Sequence, residues 1–176
     1  DSTLRVGAWS ALPYINREVN SVEKTLKSAG FQSETRRDYA ATEEAFKSIG
    51  AGGPEASGSP RILHIATHGF FFPDPKEAPS AGRGLGEVEP VFKISDHPMI
   101  RSGLLLAGAN YAWQTGKPLK PNMEDGIHTA YEISQMNLSN TELVVLSACE
   151  TGLGDIQGNE GVYGLQRAFK IAGLST

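Results

Sequence analysis

The chain has 176 residues, of which 39% are hydrophobic, and a formal net charge of -4. This length suits one domain built around one core, and we take residues 1–176 as a single domain. The negative net charge argues against a protein that binds nucleic acid or an anionic membrane surface, because such proteins carry an excess of basic residues. No apolar run approaches the roughly 20 residues of a transmembrane helix.

The first half of the chain predicts alternating strands and helices. In chain order these are a strand at 4–9, a helix that Asn16 opens and Gly30 ends, a strand at 31–37, a short helix at 41–49 and a strand at 62–67. A glycine-rich linker, 50–60, precedes the last of these strands. The alternation predicts an α/β fold whose parallel sheet carries helices on both faces.

The second half is less regular. Prolines and glycines prevent any long element at 69–102, and the sequence predicts a strand at 103–107, a second irregular insertion at 110–125 and a short helix at 129–135. A final strand then leads through a glycine-rich turn into a helix over 161–173, with apolar residues at helical spacing from Val162 to Ala172. No internal repeat is visible.

The chain contains one cysteine, Cys149, at the end of this final strand. The continuous apolar run Leu143–Leu146 is typical of a strand covered on both faces, and the edge where such strands end is where open α/β sheets bind ligands. A single cysteine excludes an internal disulfide framework and a multi-cysteine zinc site, and it fits a reducing compartment such as the cytoplasm.

His68 and Gly69 follow the 62–67 strand as Cys149 follows its own. In one parallel sheet, adjacent strands bring these residues together, and imidazole titrates in the range needed to activate a thiol. The N–H groups of Gly69 and Cys149 are then candidates to hold an oxyanion. The spacing leaves two interpretations open, a Cys-His nucleophile and a buried, inert cysteine.

Three other sites are disfavoured. His64 and His68 resemble an HxxxH metal pair, but on a strand they lie about 13 Å apart, so we expect no metal. The turn GLGDIQG matches neither dinucleotide nor P-loop spacing, so we expect no nucleotide cofactor. Ser147 and Thr151 stand where the nucleophile elbow of an α/β-hydrolase requires glycine.

The other polar and aromatic residues receive simpler interpretations. His97 and His128 are expected to be solvated or hydrogen-bonded, and Trp9 and Trp113 are expected to pack. The acidic residues near the thiol are candidate substrate contacts or solvated side chains: Glu150, Asp155 and Glu160.

Four segments together resemble the CHAT domain, a caspase-like domain often attached to tetratricopeptide repeats in bacteria: ALPYINREVNSVEKTLKSAGF, RILHIATHGFF, SGLLLAGAN and ELVVLSACETGLGDIQGNEGVYGLQRAFKIAG. They span nearly the whole chain. The resemblance implies a caspase-like three-layer α/β/α sandwich with a mostly parallel central sheet. It also implies a cysteine peptidase in which His68 is the general base, Cys149 the nucleophile, and Gly69 with the Cys149 backbone the oxyanion hole.

The same resemblance gives expectations about substrate and partners. Ser147 stands two residues before the nucleophile, where relatives shape the pocket for the residue before the scissile bond, and we count Thr67 and Glu150 with it as substrate-binding candidates. The family's sheet continues after a helix like 161–173, so we expect the last strands to be missing here, whether the chain is a fragment or a processed subunit.

We therefore expect a caspase-like cysteine endopeptidase that acts on a protein or peptide substrate and is regulated by repeat domains or a partner protein. A catalytically inactive interaction or scaffold module with the same fold remains the alternative. Calcium dependence stays open, although no EF-hand-like loop is visible.

Overall fold

A computed structural model of the protein describes residues 9–51, 58–72, 95–149 and 160–174. For Cys149 and residues 160–162 the description is confined to the backbone. The elements in chain order are α1 (Ile15–Ser28), a 3-10 turn (Asp38–Ala40), α2 (Glu43–Lys47), β1 (Ile62–Phe71), β2 (Ser102–Leu105), α3 (Ala109–Thr115), β3 (Ile127–Thr129), α4 (Ala130–Ser134), β4 (Leu143–Cys149) and α5 (Glu160–Ile171).

The described strands form one sheet in the order β3-β2-β1-β4. β1 and β4 run parallel, in a register that begins with Ile62 opposite Leu143 and ends with His68 opposite Cys149. β2 is antiparallel to both β1 and β3. The α/β class predicted from the sequence is confirmed. The described sheet is mixed, and its parallel pair joins β1, which carries His68, to β4, which carries Cys149.

Described helices lie on each face of this sheet, which gives three layers, although they do not cover the two faces equally. Side chains alternate between faces along each strand. One face, here called the core face, carries Leu63, Ile65, Leu104, Val144 and Leu146 and packs against α4 and α5. The other, here called the histidine face, carries His64, His68, Phe70 and Ser147, and on it Phe70 packs against Trp113 of α3.

The predicted C-terminal helix is confirmed as α5. Leu165, Ala168, Phe169 and Ala172 follow the spacing of one helical face, and each is at most 6% exposed. Burying a phenylalanine such as Phe169 contributes about 2–3 kcal/mol, so this stripe is a principal attachment of helix to sheet.

Residues 31–37 do not form the predicted strand. Their polar side chains instead bond to neighbouring helices: Arg36 donates to the Ala45 carbonyl at 2.9 Å, and Arg37 lies 3.2 Å from Glu23 of α1. A segment with so few apolar side chains gains little from entering a buried sheet, so helix contacts satisfy it instead.

The insertion at 110–125, predicted to be irregular, contains α3. Gly108 and Gly116 flank this helix with φ values of 99° and 69°, a region that favours glycine. Ala109, Ala112 and Trp113 share one helical face and are buried. Three apolar residues at the right spacing are enough for a short helix when the sheet supplies a surface to cover.

Several elements differ from their predicted limits or environment. β1 continues to Phe71, so His68 and Gly69 lie inside the strand and not after it. In the described part of the chain, the histidine face of β4 is only partly covered, because Leu143 is 50% exposed and the described helices pack mainly on the core face. α1 begins at Ile15, one residue before Asn16, and none of its residues is fully buried.

Some predicted segments lie outside the described residues. These are most of the strand at 4–9, the centre of the linker at 50–60, positions 73–94 of the long irregular segment, and the glycine-rich turn at 150–159. Within the described ranges, no helix is long and apolar enough to cross a membrane.

Candidate active site

His68 and Cys149 are partners in the parallel register of β1 and β4. Although the sequence separates them widely, the pairing of the two strands makes them neighbours, which is the adjacency expected from the chain pattern. Gly69 follows at the next position of β1, opposite Leu104 of the antiparallel strand. At His68, β1 is therefore flanked by the parallel strand β4 on one edge and by the antiparallel strand β2 on the other.

The imidazole of His68 is oriented by the backbone of residue 10. Its Nε2 lies 2.7 Å from the carbonyl oxygen of Ser10. A carbonyl oxygen only accepts hydrogen bonds, so Nε2 is the nitrogen that donates. In a neutral imidazole with that tautomer the basic lone pair is on Nδ1.

The segment that holds His68 is itself anchored to α3. Trp9 donates its backbone N–H to Asn110 Oδ1 at 2.7 Å, and Asn110 returns a bond from Nδ2 to the Trp9 carbonyl at 3.0 Å. The Trp9 ring packs 5.2 Å from the His68 ring and 5.5 Å, edge-on, from Trp113. The packing role expected for both tryptophans is confirmed, and Trp9 also restricts how the His68 ring can turn.

Gly69 has ordinary space around it. A methyl group added at its Cα lies 3.6 Å from the Gly103 carbonyl oxygen and 3.7 Å from the Ala148 side chain, both normal contacts. Steric crowding therefore does not require glycine here, and the role of its N–H as an oxyanion donor stays a prediction.

Ser147 lies on the histidine face and belongs to a small polar network. Its hydroxyl donates to Glu18 Oε1 of α1, and the same oxygen lies 3.0 Å from His64 Nε2. Ser147 and His64 are 3.5 Å apart. In a serine-hydrolase triad the histidine contacts the serine through one ring nitrogen and the carboxylate through the other. Here His64 contacts both through Nε2, and Ser147 bonds to Glu18 directly, so the three residues do not form such a triad.

The remaining predicted substrate-binding residues are placed differently. Thr67 neighbours His68 in β1, and its hydroxyl donates to the carbonyl oxygen of Leu105. Strand alternation assigns Thr67 to the opposite face from His68. Glu150 lies outside the described residues, as does Asp155, and of Glu160 only the backbone is described.

His64 and His68 both lie on the strand β1, where the HxxxH spacing does not bring two imidazoles to one metal. A different group does place ligand atoms close together. Glu43, His128 and Glu132 each offer one atom, all within 4.8 Å of one another. Lys47, however, supplies a cation there, with Nζ 2.8 Å from Glu43 and 3.0 Å from Glu132. These residues form an ion network, in which His128 Nε2 is buried without a hydrogen-bond partner among the described residues.

The electrostatics of this ion network follow from its burial. Burial alone raises the pKa of a carboxyl, but the hydrogen bonds of Glu43 to His128 and Lys47 outweigh it and lower the pKa of Glu43 to about 2. Burial raises the pKa of Asp125 despite a hydrogen bond from Ile127, and nearby carboxylates act in the same direction. His128, expected to be solvated or hydrogen-bonded, is fully buried and lies 3.3 Å from Glu43.

Sequence reasoning missed four groups around His68 and Ser147. These are the Trp9 ring, the Ser10 carbonyl, the Glu18 carboxylate and the His64 imidazole. Three of them come from the segment that precedes or forms α1, and no local pattern marks their contacts with β1. The fourth had a signal, because His64 is four residues before His68 on a strand and therefore shares its face.

Comparison with known proteins places both strands of the site within one family match. A family model described as CHAT domain matches residues 2–176. No curated protein and no solved structure matches the chain. The match covers both strands of the site and the helix α1 that contacts them.

Proposed function

The chain belongs to the CHAT domain family, which is caspase-like, and we propose that it is a cysteine endopeptidase domain with His68 as general base and Cys149 as nucleophile. The single observation that carries the proposal is the register that pairs these two residues, with His68 oriented by the Ser10 carbonyl. A free thiol has a pKa of about 8.5, so a nucleophilic cysteine needs such a base at neutral pH.

The first half of the proposed reaction forms an acyl-enzyme. His68 Nδ1 accepts the thiol proton, and the Cys149 thiolate attacks the carbonyl carbon of the scissile peptide bond. The negative charge moves to the carbonyl oxygen, where the Gly69 and Cys149 N–H groups are the proposed donors. The intermediate collapses as the C–N bond breaks, and the leaving amine takes the proton from the His68 imidazolium.

The second half releases the acid product. Water enters, His68 accepts one of its protons, and the resulting hydroxide attacks the thioester carbon. The C–S bond breaks and Cys149 returns to the thiol through the same proton. Throughout, the bond from His68 Nε2 to Ser10 holds the ring in one tautomer and stabilises the imidazolium that forms.

The partners of this activity follow from the same family membership. A protein or peptide is the substrate, and attached repeat domains or a partner protein regulate access to the site. A lone cysteine that must remain reduced favours the cytoplasm as the location.

The test is cleavage of a diverse peptide library by the full-length protein, with its repeat domains or partner present. We expect cleavage by the wild type and its loss in both Cys149→Ala and His68→Ala. His97→Ala is the matched control, because His97 is exposed and packs against Tyr131 instead of the site. Activity that survives in Cys149→Ala contradicts the proposal, and a wild type inactive under every condition favours the scaffold interpretation.

A further inference from the structure

We infer that Glu18 is a specificity-determining residue that directs the proposed peptidase to substrates with arginine or lysine immediately before the scissile bond. The inference rests on the proposed function, because it concerns the pocket beside the same cysteine. It is drawn from the position of a carboxylate that belongs to α1, outside both strands of the site.

The carboxylate is located by its contacts with the histidine face. Glu18 Oε1 accepts from the Ser147 hydroxyl and lies 3.0 Å from His64 Nε2. Ser147 and Cys149 are two residues apart on β4, a separation of about 6.6 Å along a strand, and residues so spaced share a face. Glu18 therefore stands about one side-chain length from the nucleophile's position.

A basic side chain has the length to cover this distance. The pocket for the residue before the scissile bond is the one expected beside Ser147, so a substrate with its scissile carbonyl at Cys149 would present that side chain along β4 towards Ser147. The four-carbon stem of lysine extends about 6 Å, and arginine reaches slightly further. The cationic end of such a substrate side chain, extended along β4 from Cys149 towards Ser147, therefore reaches the Glu18 carboxylate.

The carboxylate has capacity for such a partner. Its side chain is 41% exposed, and both of its bonds to the histidine face use Oε1. Within the described ranges Oε2 accepts no hydrogen bond. The two existing bonds orient the group, and Oε2 is left to receive a guanidinium or ammonium in a charge-assisted bond.

Other substrate side chains fit this surface less well. An acidic side chain places like charges together, and a large apolar one covers the carboxylate without pairing it, which is costly. Serine alone at position 147 selects no charge. Among the described residues at this surface, Glu18 supplies the negative charge, and His64 is its neighbour at 3.0 Å.

The test compares two peptides that differ only at the residue before the scissile bond, arginine in one and citrulline in the other. Citrulline keeps the shape of arginine and removes its charge. We expect the wild type to favour the arginine peptide by about 10-fold to 100-fold in kcat/KM, as a charge-assisted bond implies. In Glu18→Gln, whose amide oxygen still accepts from Ser147, we expect this ratio to fall close to 1.

Glu23→Gln is the matched control. Glu23 lies on the same helix, where it pairs with Lys27 and Arg37. Its substitution removes the same charge from α1, and we expect the arginine-to-citrulline ratio to stay at the wild-type value. A structural effect of Glu18→Gln slows both peptides equally and leaves the ratio unchanged, which overturns the inference.

The outcomes separate this inference from the proposed function. A wild type that cleaves both peptides equally, with Cys149→Ala inactive, refutes the role of Glu18 and leaves the peptidase proposal standing. A wild type that cleaves neither peptide nor any member of the library refutes both.

Discussion

Replacing Glu43 by glutamine tests whether the buried ion network stabilises the fold. Glu43 is 1% exposed, and its carboxylate receives bonds from Lys47 at 2.8 Å and from the Gly126 N–H at 2.9 Å. It also lies 3.3 Å from His128 Nδ1. Glutamine keeps the shape but replaces one carboxylate oxygen with an amide N–H₂, which cannot accept from Lys47 or from the Gly126 N–H.

The expected loss is about 3 kcal/mol. Removing one partner of a buried pair costs roughly 3–5 kcal/mol when the remaining charge stays buried and uncompensated. Lys47 is 31% exposed and retains Glu132 and Glu124 as partners at 3.0 Å each, which places the cost no higher than the lower end of that range. For a domain of this size the melting temperature should fall by roughly 6–12 °C.

Guanidinium denaturation followed by circular dichroism measures this loss as a change in midpoint at constant slope. Glu34→Gln is the control, because Glu34 is 64% exposed and its pair with Arg36 lies at the surface. We expect the control to lose less than about 1 kcal/mol. If Glu43→Gln loses no more than the control, the network does not stabilise the fold and the reasoning is refuted.

Three further results are expected. The wild type should lose stability as pH falls from 4.5 to about 2, because the lowered pKa of Glu43 means that its carboxylate stabilises the fold fully above the unfolded pKa and less as the folded carboxyl is protonated. Glu43→Gln should lose less stability over the same range in pH-dependent melting, and an equal loss would contradict this role of Glu43. Asp125 has a raised pKa, so its ionised form opposes folding. Asp125→Asn, whose amide oxygen can still accept from Ile127, should raise the free energy of unfolding by roughly 0.5–1 kcal/mol at pH 7 and by less at acid pH. A lower free energy of unfolding at pH 7 would contradict this prediction. Phe169→Ala should lower the free energy of unfolding by about 3–5 kcal/mol in denaturant titrations, because Phe169 is 2% exposed. Leu143→Ala should lower it by less than about 1 kcal/mol, because Leu143 is 50% exposed, and equal losses would contradict the assignment of Phe169 to the core.

The parallel pair at the centre of the site was predictable from local pattern. The run Leu143–Leu146 and the segment 62–67 are apolar and bounded by breakers, and two such strands in one α/β chain favour parallel neighbours. Their pairing brings His68 to Cys149 without any further information. α5 was equally accessible, because its buried residues repeat at helical spacing along one face.

The antiparallel part of the sheet was not predictable in the same way. β2 has four residues, all buried, and a short apolar run carries no signal of direction. Its pairing with β1 extends that strand through Gly69 to Phe71, beyond the point where the sequence predicts its end. Strand limits here are set by the partner, so they could not be read from the strand itself.

The groups that orient and flank the site were also inaccessible to sequence reasoning. Ser10 acts through a backbone carbonyl, which any residue type supplies. Glu18 reads as one polar residue on an amphipathic helix, and only the packing of α1 against the histidine face shows that it meets Ser147. Contacts of this kind depend on tertiary position, for which single-residue patterns carry no signal.

The measurement that tests the central claim most directly is the rate at which Cys149 is alkylated by iodoacetamide as a function of pH. Peptide-resolved mass spectrometry of the full-length protein follows this cysteine alone. If His68 activates the thiol, the rate should rise with a midpoint well below the ordinary thiol pKa of about 8.5, and His68→Ala should move the midpoint back towards that value, whereas His97→Ala should not. A wild-type midpoint near 8.5 that His68→Ala leaves unchanged would contradict the assignment of these two residues as a catalytic pair.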